Sequence, residues 1–326
     1  MTNICIYGAG AIGGHVAARL AHARQAQVSV VARGAHLQAI QQRGLLLTSG
    51  DERWQGPIAH ATDDPSTLPP QDFVLVALKA NALPSQAAAI ARLLGDTGVA
   101  VFINNGIPWW WNHGLANQGG ALPLLDPAGD LWRQVTPERT LGCVVYSPNE
   151  IEAPGHVRHH PGRNRFLFGE PTGHASARLA RLAGLLTASG LPVETTNDLR
   201  RDVWLKLLVN AAGNPVSALT RLGTAERAAD AGLVALSLAL AQEIAAIAQA
   251  SGWPLPADTV RTAANPPSLG VNQRPSMLQD ALLGRPIETE AILGQPQAFA
   301  RQLGIQTPAL DVVLPLLRGL GRSLAG

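Results

Sequence analysis

The sequence feature that most constrains the fold is a glycine-rich turn near the start of the chain. An apolar run over residues 4–7 leads into a Gly-x-Gly-x-x-Gly pattern, and an alanine-rich helical pattern follows at once. Such a turn between a strand and a helix lets the backbone approach a pyrophosphate, and the helix N-terminus directs free N–H groups at the phosphates. The alternative is an ordinary turn. The predicted dinucleotide-binding residues are Gly8, Ala9, Gly10, Ala11, Ile12 and Gly13.

Arg33, at the end of the second predicted strand (residues 28–32), is the most informative position for the choice of dinucleotide. NAD-binding versions of this unit carry a carboxylate about twenty residues after the glycines, which holds the ribose 2′-hydroxyl. This chain has Arg33 there instead, and a guanidinium presents a planar set of donors that suits a 2′-phosphate. We therefore expect NADP(H) rather than NAD. The alternative is a surface arginine that starts the next helix.

Length and composition restrict the class of protein. The chain has 326 residues, of which 46% are hydrophobic and 15% charged, as expected for a folded protein long enough for two domains. A net charge of +2 without a lysine- or arginine-rich run gives no argument for nucleic acid binding. The two cysteines, Cys5 and Cys143, form neither a disulfide framework nor a metal motif. We expect a cytoplasmic protein without a signal peptide, a membrane span or a bound metal.

Two further predicted strands of the first domain end in polar residues. The run 72–79 is nearly all apolar, as is typical of a parallel strand covered on both faces, and it ends at Lys79. The run 99–103 is followed by Asn104-Asn105-Gly106. Ligands bind at the carboxyl ends of strands in open α/β sheets, so Lys79 and Asn105 are candidate ligand contacts. A solvated lysine and a plain turn signal are the alternatives.

Two unusual stretches of the first domain allow more than one interpretation. Three consecutive tryptophans, Trp109–Trp111, cannot all face one way. The segment that they begin, which runs to about Glu138, is either a lid beside the cofactor or structural packing. The pair His159-His160 suggests a metal site, but no third ligand is spaced nearby and adjacent strand residues point to opposite faces. We expect no metal there.

The character of the chain changes near residue 197. Strand and helix patterns alternate up to that point, and only helical periodicity follows. The sequence therefore predicts an α/β protein of two domains. The first is a doubly wound Rossmann-type dinucleotide-binding domain over residues 1–197, and the second is an all-α domain over residues 198–326. The apolar stretch 225–250 is expected to form one long core helix.

A polar stripe opens the second domain. Lys206, Asn210 and Asn214 recur every four residues, which places them on one face of a helix among apolar neighbours. Asparagine is a poor helix former and has no charged partner here, so the stripe is expected to face a cleft or a buried network rather than solvent. Pro215 disfavours helical geometry at the preceding residue, so we expect a break near Asn214.

Two later segments have sufficient structural explanations of their own. Residues 276–279, which begin with Ser276, fit a helix capping box. Glu288 and Glu290 begin another predicted helix, where the helix dipole favours acidic residues. Taken singly, neither segment indicates a site.

In combination, these motifs resemble the ketopantoate reductase (2-dehydropantoate 2-reductase) family. The resemblance runs in order from residue 4 to about residue 310, and its later blocks are far more specific than the glycine turn. It is carried by Gly8-Ala9-Gly10-Ala11-Ile12-Gly13, Arg33, Lys79, Asn105-Gly106, Lys206-Leu-Leu-Val-Asn210-Ala-Ala-Gly-Asn214-Pro215, Ser276-Met-Leu-Gln-Asp280 and Glu288-x-Glu290-x-x-x-Gly294.

The resemblance implies NADPH-dependent reduction of a 2-keto acid to a 2-hydroxy acid, with ketopantoate and pantothenate biosynthesis favoured. It implies that Lys206 is the general acid, which protonates the ketone oxygen and stabilises the alkoxide as it forms. Glu288 is the second implied catalytic residue. The implied substrate-binding residues are Asn105, Asn210, Asn214 and Ser276. The implied cofactor contacts outside the glycine turn are Arg33, Lys79, Asn105 and Glu288.

Three departures from the family pattern leave the substrate open. Gln273 stands where many relatives have asparagine, Ile292-Leu293 replaces an aromatic–asparagine pair, and the Trp109–Trp111 segment is an insertion relative to the shortest members. One alternative is therefore an enzyme of the same architecture for another 2-keto or 3-hydroxy acid. Another is an NADPH sensor without turnover. We expect a small-molecule substrate and no nucleic acid or membrane partner, and we leave a homodimer open.

Overall fold

The short apolar runs of the first two hundred residues form two β-sheets in the computed structural model, which describes residues 1–116, 119–265 and 272–325. The strands are β1 (Thr2–Tyr7), β2 (Ala26–Val31), β3 (Leu45–Ser49), β4 (Glu52–Gly56), β5 (His60–Thr62), β6 (Phe73–Val76), β7 (Val99–Phe102), β8 (Thr140–Tyr146), β9 (Asn149–Ala153), β10 (His156–His159), β11 (Arg165–Gly169) and β12 (Val193–Thr196). The larger sheet has the order β12-β11-β8-β7-β6-β1-β2-β5, and the smaller has the order β4-β3-β10-β9.

The larger sheet confirms the predicted Rossmann-type architecture. Its neighbouring strands are parallel except for the antiparallel pair β8 and β11. Strands β6 and β7 are buried along their whole length, as expected for parallel strands that are covered on both faces. The chain passes from β1 to β2 on one side and later to β6 on the other. The strand order therefore reverses at β1, which is where open α/β sheets bind their ligands.

Four helices accompany these strands: α1 (Ala11–Ala23), α2 (Gly34–Arg43), α3 (Ala87–Leu94) and α4 (Ala177–Ala188). The smaller sheet packs against α1, the helix that follows the glycine-rich turn. Gly14 on α1 lies so close to Val157 of β10 that a Cβ at this position would overlap the valine side chain. The hairpin formed by β3 and β4 is thus part of a layer that supports α1.

The three consecutive tryptophans are core residues. Trp109, Trp110 and Trp111 are 2%, 1% and 2% exposed. The Trp109 ring meets Phe102 of β7 edge-on at 5.4 Å between centroids, and the Trp110 ring lies against Gly142 of β8. The described part of the segment therefore supports the packing interpretation over the lid, because a lid would keep these rings at the surface.

The His159-His160 pair is occupied by protein partners. His159 Nδ1 lies 3.1 Å from Asn149 Oδ1, and His160 Nε2 lies 2.8 Å from Glu150 Oε1. Over the residues that the structure describes, no group of three or more histidine, cysteine, aspartate or glutamate side chains is placed to hold a metal ion.

From residue 199 onward every regular element in the described ranges is helical: α5 (Leu199–Thr220), α6 (Thr224–Ala228), α7 (Ala231–Ala250), α8 (Ala257–Ala264), α9 (Ser276–Leu282), α10 (Gln295–Gln302) and α11 (Pro308–Ala325). The contacts divide the chain into two units. The first comprises residues 1–78, 82–104 and 109–199, and the second comprises residues 79–81, 105–108 and those from 200 onward. Two short segments that follow β6 and β7 along the chain, 79–81 and 105–108, thus belong to the second unit.

The prediction of a helix break near Asn214 is wrong. Helix α5 continues through Pro215 to Thr220, and residues 210–218 are all buried. Proline removes the hydrogen bond to the carbonyl of Ala211 and disfavours the helix at this point. The continuous burial of both halves outweighs this local preference, so tertiary packing decides where α5 ends.

Two other local predictions are also wrong. The stretch 225–250 is two helices rather than one, because the Asp230 carboxylate caps α7 by accepting from the N–H groups of Gly232 and Leu233 at 2.8 and 3.0 Å. The capping box at Ser276 does not form, because Pro275 occupies the N-cap position and α9 begins at Ser276 itself.

Helix α7 alone, among the described residues, is long and apolar enough to cross a membrane by length and composition, with a mean hydropathy of 1.8. A core helix passes the same test. Near the middle of α7, the Glu243 carboxylate accepts from the N–H groups of Ala309 and Leu310 at 2.7 and 2.9 Å, at the start of α11. These charge-assisted bonds tie α7 into the second unit.

Candidate active site

The glycine-rich turn has the geometry that a pyrophosphate site requires. Gly8 has φ of 99°, and a Cβ on Gly13 would collide with the carbonyl oxygen of Gly8, so the turn needs glycine at both positions. Gly10 is the N-cap of α1, supplies no capping side chain and has open space where a Cβ would point. The first N–H groups of α1 are therefore accessible to an anion, and the positive end of the helix dipole favours it. The residues present thus fit a dinucleotide.

Arg33 lies at the position where the sequence predicts a 2′-phosphate contact. It follows β2 by two residues, at the carboxyl end of the sheet, and it is the N-cap of α2 with an exposed side chain. Both a phosphate contact and a surface arginine at the start of a helix are compatible with this position. Its role as a cofactor contact stays a prediction.

In the second unit, several predicted site residues converge on the carboxylate of Glu288. Its side chain is only 5% exposed. Oε1 accepts the backbone N–H of Ala80 at 3.1 Å, and Oε2 accepts the side-chain amide of Asn105 at 3.3 Å. The same Oε2 lies 3.7 Å from Lys79 Nζ. The buried Glu288 carboxylate thus binds residues of both short segments, 79–81 and 105–108, that belong to the second unit.

Lys79 is held between two carboxylates. Its ammonium donates to Asp280 Oδ2 and faces Glu288 from the other side. Burial by itself lowers the pKa of Lys79, but the charges of Glu288 and Asp280 outweigh burial and raise that pKa above its usual value. Lys79 therefore stays protonated at neutral pH. It contributes a fixed positive charge rather than an exchangeable proton.

The polar stripe of α5 joins this cluster through Asn210. Asn210 Nδ2 donates to Asn105 Oδ1 at 3.4 Å, and the Asn105 amide donates onward to Glu288, so the orientation of that amide is set from both sides. Asn210 and Asn214 are 6% and 8% exposed. Lys206 lies one helical turn before Asn210 on the same face and is half-buried. The stripe is therefore largely buried rather than a solvated face, and Asn210 connects it to the cluster.

Gly106 determines how the segment that carries Asn105 is seated. It has φ of 82°, and a Cβ at this position would collide with the carbonyl group of Ala291. The neighbouring Ile107 N–H donates to the same carbonyl at 2.8 Å. Ala291 lies in a turn of π-helix, Glu290–Gly294, which begins two residues after Glu288. Such turns are frequent at functional sites. The close approach at Gly106 thus brings Asn105 within reach of Glu288.

The other predicted residues lie at the margins of this cluster or outside it. Ser276 is exposed at the start of α9, one turn before Asp280. Gln273 has an exposed side chain; its backbone N–H donates to the Thr224 hydroxyl, and its carbonyl accepts the Thr224 N–H. Ile292 and Leu293 are buried in the second unit. The Ile292 N–H donates to the backbone carbonyl of Glu288 at 3.2 Å.

The motifs did not predict Asp280 as a site residue, although the Ser276-Met-Leu-Gln-Asp280 block ends there. The lysine content of the sequence is a further indication of the site. Of the 25 basic residues only two are lysine, and they are Lys79 and Lys206. The remaining positive charge of the chain is carried by arginine, which cannot give up its proton in proteins. The positions that keep an ammonium are thus the two that the motifs single out.

Comparison with known proteins agrees with this architecture. A family model described as Ketopantoate reductase PanE/ApbA matches residues 4–173, and the model for Ketopantoate reductase PanE/ApbA C terminal matches residues 198–321. The chain belongs to the ketopantoate reductase family. The resemblance seen in the motifs is therefore confirmed over nearly the whole length.

Individual relatives of this ketopantoate reductase family member cover both units. A 2-dehydropantoate 2-reductase from Mesorhizobium japonicum is 41% identical over 98% of this chain and 97% of its own. The 2-dehydropantoate 2-reductase structure from Geobacter metallireducens GS-15 has a TM-score of 0.83 at 27% identity, with 97% of this chain and 99% of that one covered. A D-mandelate dehydrogenase structure with NADH and anilino(oxo)acetate has a TM-score of 0.81 at 20% identity, which shows the shared fold alone; it covers 99% of both chains.

The seating of Asn105 can be tested by substituting Gly106. Gly106 and Gly120 both have φ of 82°, but only Gly106 faces crowded backbone. The positive φ alone costs an alanine about 1–2 kcal/mol, so Gly120→Ala should lower the free energy of unfolding by that amount. Gly106→Ala should lower it by more than about 3 kcal/mol, because the collision adds to the same strain. Urea unfolding of both variants measures the difference, and equal losses would contradict the close packing of Gly106 on Ala291.

Proposed function

We propose that the protein is an NADPH-dependent reductase of a 2-keto acid, with ketopantoate as substrate and pantoate as product, in pantothenate biosynthesis. The observation that carries the proposal is the cluster in which Lys79 and Asn105 contact Glu288 and Asn210 contacts Asn105, with Lys206 one helical turn before Asn210. It lies in a chain that is 41% identical to a 2-dehydropantoate 2-reductase over nearly its full length. A small-molecule keto acid is thus the proposed substrate.

We also propose the division of labour between the two parts of the chain. Residues 1–197 form the NADP(H)-binding domain, and residues 198–326 form the helical substrate and catalytic domain. The end of one family match at residue 173 and the start of the next at residue 198 support this boundary. The cytoplasmic location and a homodimer remain predictions from the sequence.

The proposed pyrophosphate and 2′-phosphate contacts belong to the first unit. The backbone of residues 8–13 binds the pyrophosphate at the N-terminus of α1, and Arg33 pairs with the 2′-phosphate. When bound, NADPH supplies the hydride for the reduction. Lys79, Asn105 and Glu288 are the proposed contacts at the nicotinamide end, where the Glu288 carboxylate fixes the other two side chains.

The proposed chemistry of the chain centres on Lys206. Its ammonium donates a proton to the ketone oxygen as negative charge develops there, and it stabilises the alkoxide before the transfer is complete. Asn210, Asn214 and Ser276 hold the carboxylate and hydroxyl groups of the substrate. Glu288 acts on the reaction by orienting Asn105 and by balancing the charge of Lys79. The hydrogen bonds from Asn210 to Asn105 and from Asn105 to the buried Glu288 carboxylate pre-organise this part of the set, which is what transition-state stabilisation requires.

The substrate can be tested with a matched pair of keto acids. Trimethylpyruvate differs from ketopantoate only by lacking the terminal hydroxyl. We expect NADPH-dependent turnover of ketopantoate with a kcat/KM at least about 100-fold higher, because polar groups that bind the hydroxyl would be left unpaired. Comparable values for trimethylpyruvate, pyruvate or benzoylformate would contradict ketopantoate as the substrate and favour another 2-keto acid. NADPH binding without turnover of any keto acid would favour a sensor.

The proton donor can be tested by substituting Lys206. We expect Lys206→Ala to lower kcat for ketopantoate by about 100-fold to 10,000-fold, the usual contribution of a general acid, with little change in the Kd for NADPH. Lys206→Arg keeps the positive charge but cannot donate its proton at neutral pH, so it should be nearly as slow. Stopped-flow measurement of NADPH oxidation at saturating substrate measures this. A Lys206→Arg variant as fast as the wild type would show that only the charge matters.

A further inference from the structure

His36, on the first turn of α2, is hydrogen-bonded through both nitrogens of its ring. Nε2 lies 2.8 Å from the carbonyl oxygen of Ala9, and Nδ1 lies 3.0 Å from the backbone nitrogen of Gly155. The ring is half-buried. These two contacts join the glycine-rich turn to the turn between β9 and β10 of the smaller sheet.

The chemistry of the two partners determines the protonation state of the ring. The N–H of Gly155 can only donate, so Nδ1 must accept and carries no proton. The carbonyl of Ala9 can only accept, so Nε2 must carry the proton and donate. His36 is therefore the neutral Nε2–H tautomer. Burial favours the same state, because it lowers the pKa of the ring below the usual value.

The hydrogen bond from His36 to the Ala9 carbonyl acts on the peptide whose N–H would contact a pyrophosphate. The Ala9 carbonyl and the Gly10 N–H belong to one planar trans peptide, so they point in opposite directions. A donor that holds the carbonyl on one side fixes the direction of the N–H on the other. It also polarises that N–H, because hydrogen bonds along a chain strengthen one another. Gly10 has open space at its Cβ position, so no side chain of its own covers this N–H.

The bond to Gly155 anchors the ring on a rigid layer. Gly155 has φ of 76° and is packed against Ala39 of α2, and its carbonyl accepts the N–H of Leu46 in β3 at 2.9 Å. The smaller sheet that contains this turn packs against α1. The ring therefore cannot move without breaking a contact to one of two fixed elements.

We propose that His36 is a positioning residue of the dinucleotide site, which fixes the Ala9–Gly10 peptide so that the Gly10 N–H is directed at the pyrophosphate. Because His36 lies three residues after Arg33, the same turn of α2 positions both the pyrophosphate donor and the proposed 2′-phosphate contact. The inference rests on the proposed binding of NADPH, and it adds a residue that contacts no part of the reacting keto acid.

Three substitutions separate the two hydrogen bonds from the volume of the ring. In His36→Gln the side-chain amide nitrogen can occupy the place of Nε2 and keep the bond to Ala9. In His36→Asn the amide oxygen can occupy the place of Nδ1 and keep the bond to Gly155 alone. His36→Phe keeps the ring and loses both bonds. The matched control is His22→Asn, because His22 is exposed on α1 and its ring bonds the backbone of Gln55 in β4.

We expect His36→Asn and His36→Phe to raise the Kd for NADPH about tenfold, the effect of one lost hydrogen bond in a charged site. His36→Gln and His22→Asn should stay within about threefold of the wild type. All folded variants should keep the wild-type kcat at saturating NADPH, because the reacting groups are unchanged. Isothermal titration calorimetry with NADPH measures the Kd without any keto acid, and thermal denaturation shows which variants are folded.

The possible results distinguish the positioning role of His36 from the proposed binding of NADPH. Equal Kd values for His36→Gln and His36→Asn would overturn the positioning role, and so would a loss confined to kcat. If His36→Asn does not fold, a wild-type Kd in His36→Gln with a raised Kd in His36→Phe still supports the role, and equal values overturn it. A wild-type protein that binds no NADPH contradicts the proposed function itself.

Discussion

The candidate site depends on one buried carboxylate, that of Glu288. Its two oxygens bind a backbone N–H, an asparagine amide and a lysine ammonium, which come from two separate segments of the chain. Hydrogen bonds to an ionised group are roughly twice as strong as those between neutral groups, and a buried carboxylate without them would be costly. The Glu288 carboxylate therefore links residues 79–81 and 105–108, which the Lys79–Asp280 ion pair and the packing of Gly106 on Ala291 also hold.

The two lysines of the chain belong to different segments of the second unit, Lys79 after β6 and Lys206 on α5. Lys79 faces two carboxylates, which hold its proton and make it a permanent charge. Lys206 lies on α5 one turn before Asn210, which donates to Asn105, and the Asn105 amide in turn donates to Glu288. Lys79 is thus a fixed charge, and Lys206 remains the proposed proton donor.

Local patterns predicted the Rossmann-type sheet, the glycine turn and the helical second unit, because strand and helix periodicity is written over short stretches. They also singled out Lys79, Asn105 and Asn210, and the family resemblance added Glu288, but these residues lie on separate segments. The pairing of Lys79 with Asp280 joins residues 201 positions apart, and no local pattern reports such a contact. Local patterns also failed to predict that α5 continues through Pro215. Burial along both halves of the helix is a tertiary effect, and it outweighs the local preference of proline.

The central claim, that the Glu288 carboxylate organises the site, is tested most directly by Glu288→Gln with Glu290→Gln as the control. Both oxygens of the Glu288 carboxylate face donors. In either orientation, the NH2 group of a glutamine would therefore face another donor: the Ala80 N–H, or the Asn105 amide and the Lys79 ammonium. Glu290 lies two residues away but pairs with Arg318 instead. We predict that kcat/KM for ketopantoate with NADPH falls about 100-fold in Glu288→Gln, as for loss of a pre-organised polar group in an active site, and less than threefold in Glu290→Gln. Equal activities of the two folded variants would contradict the account.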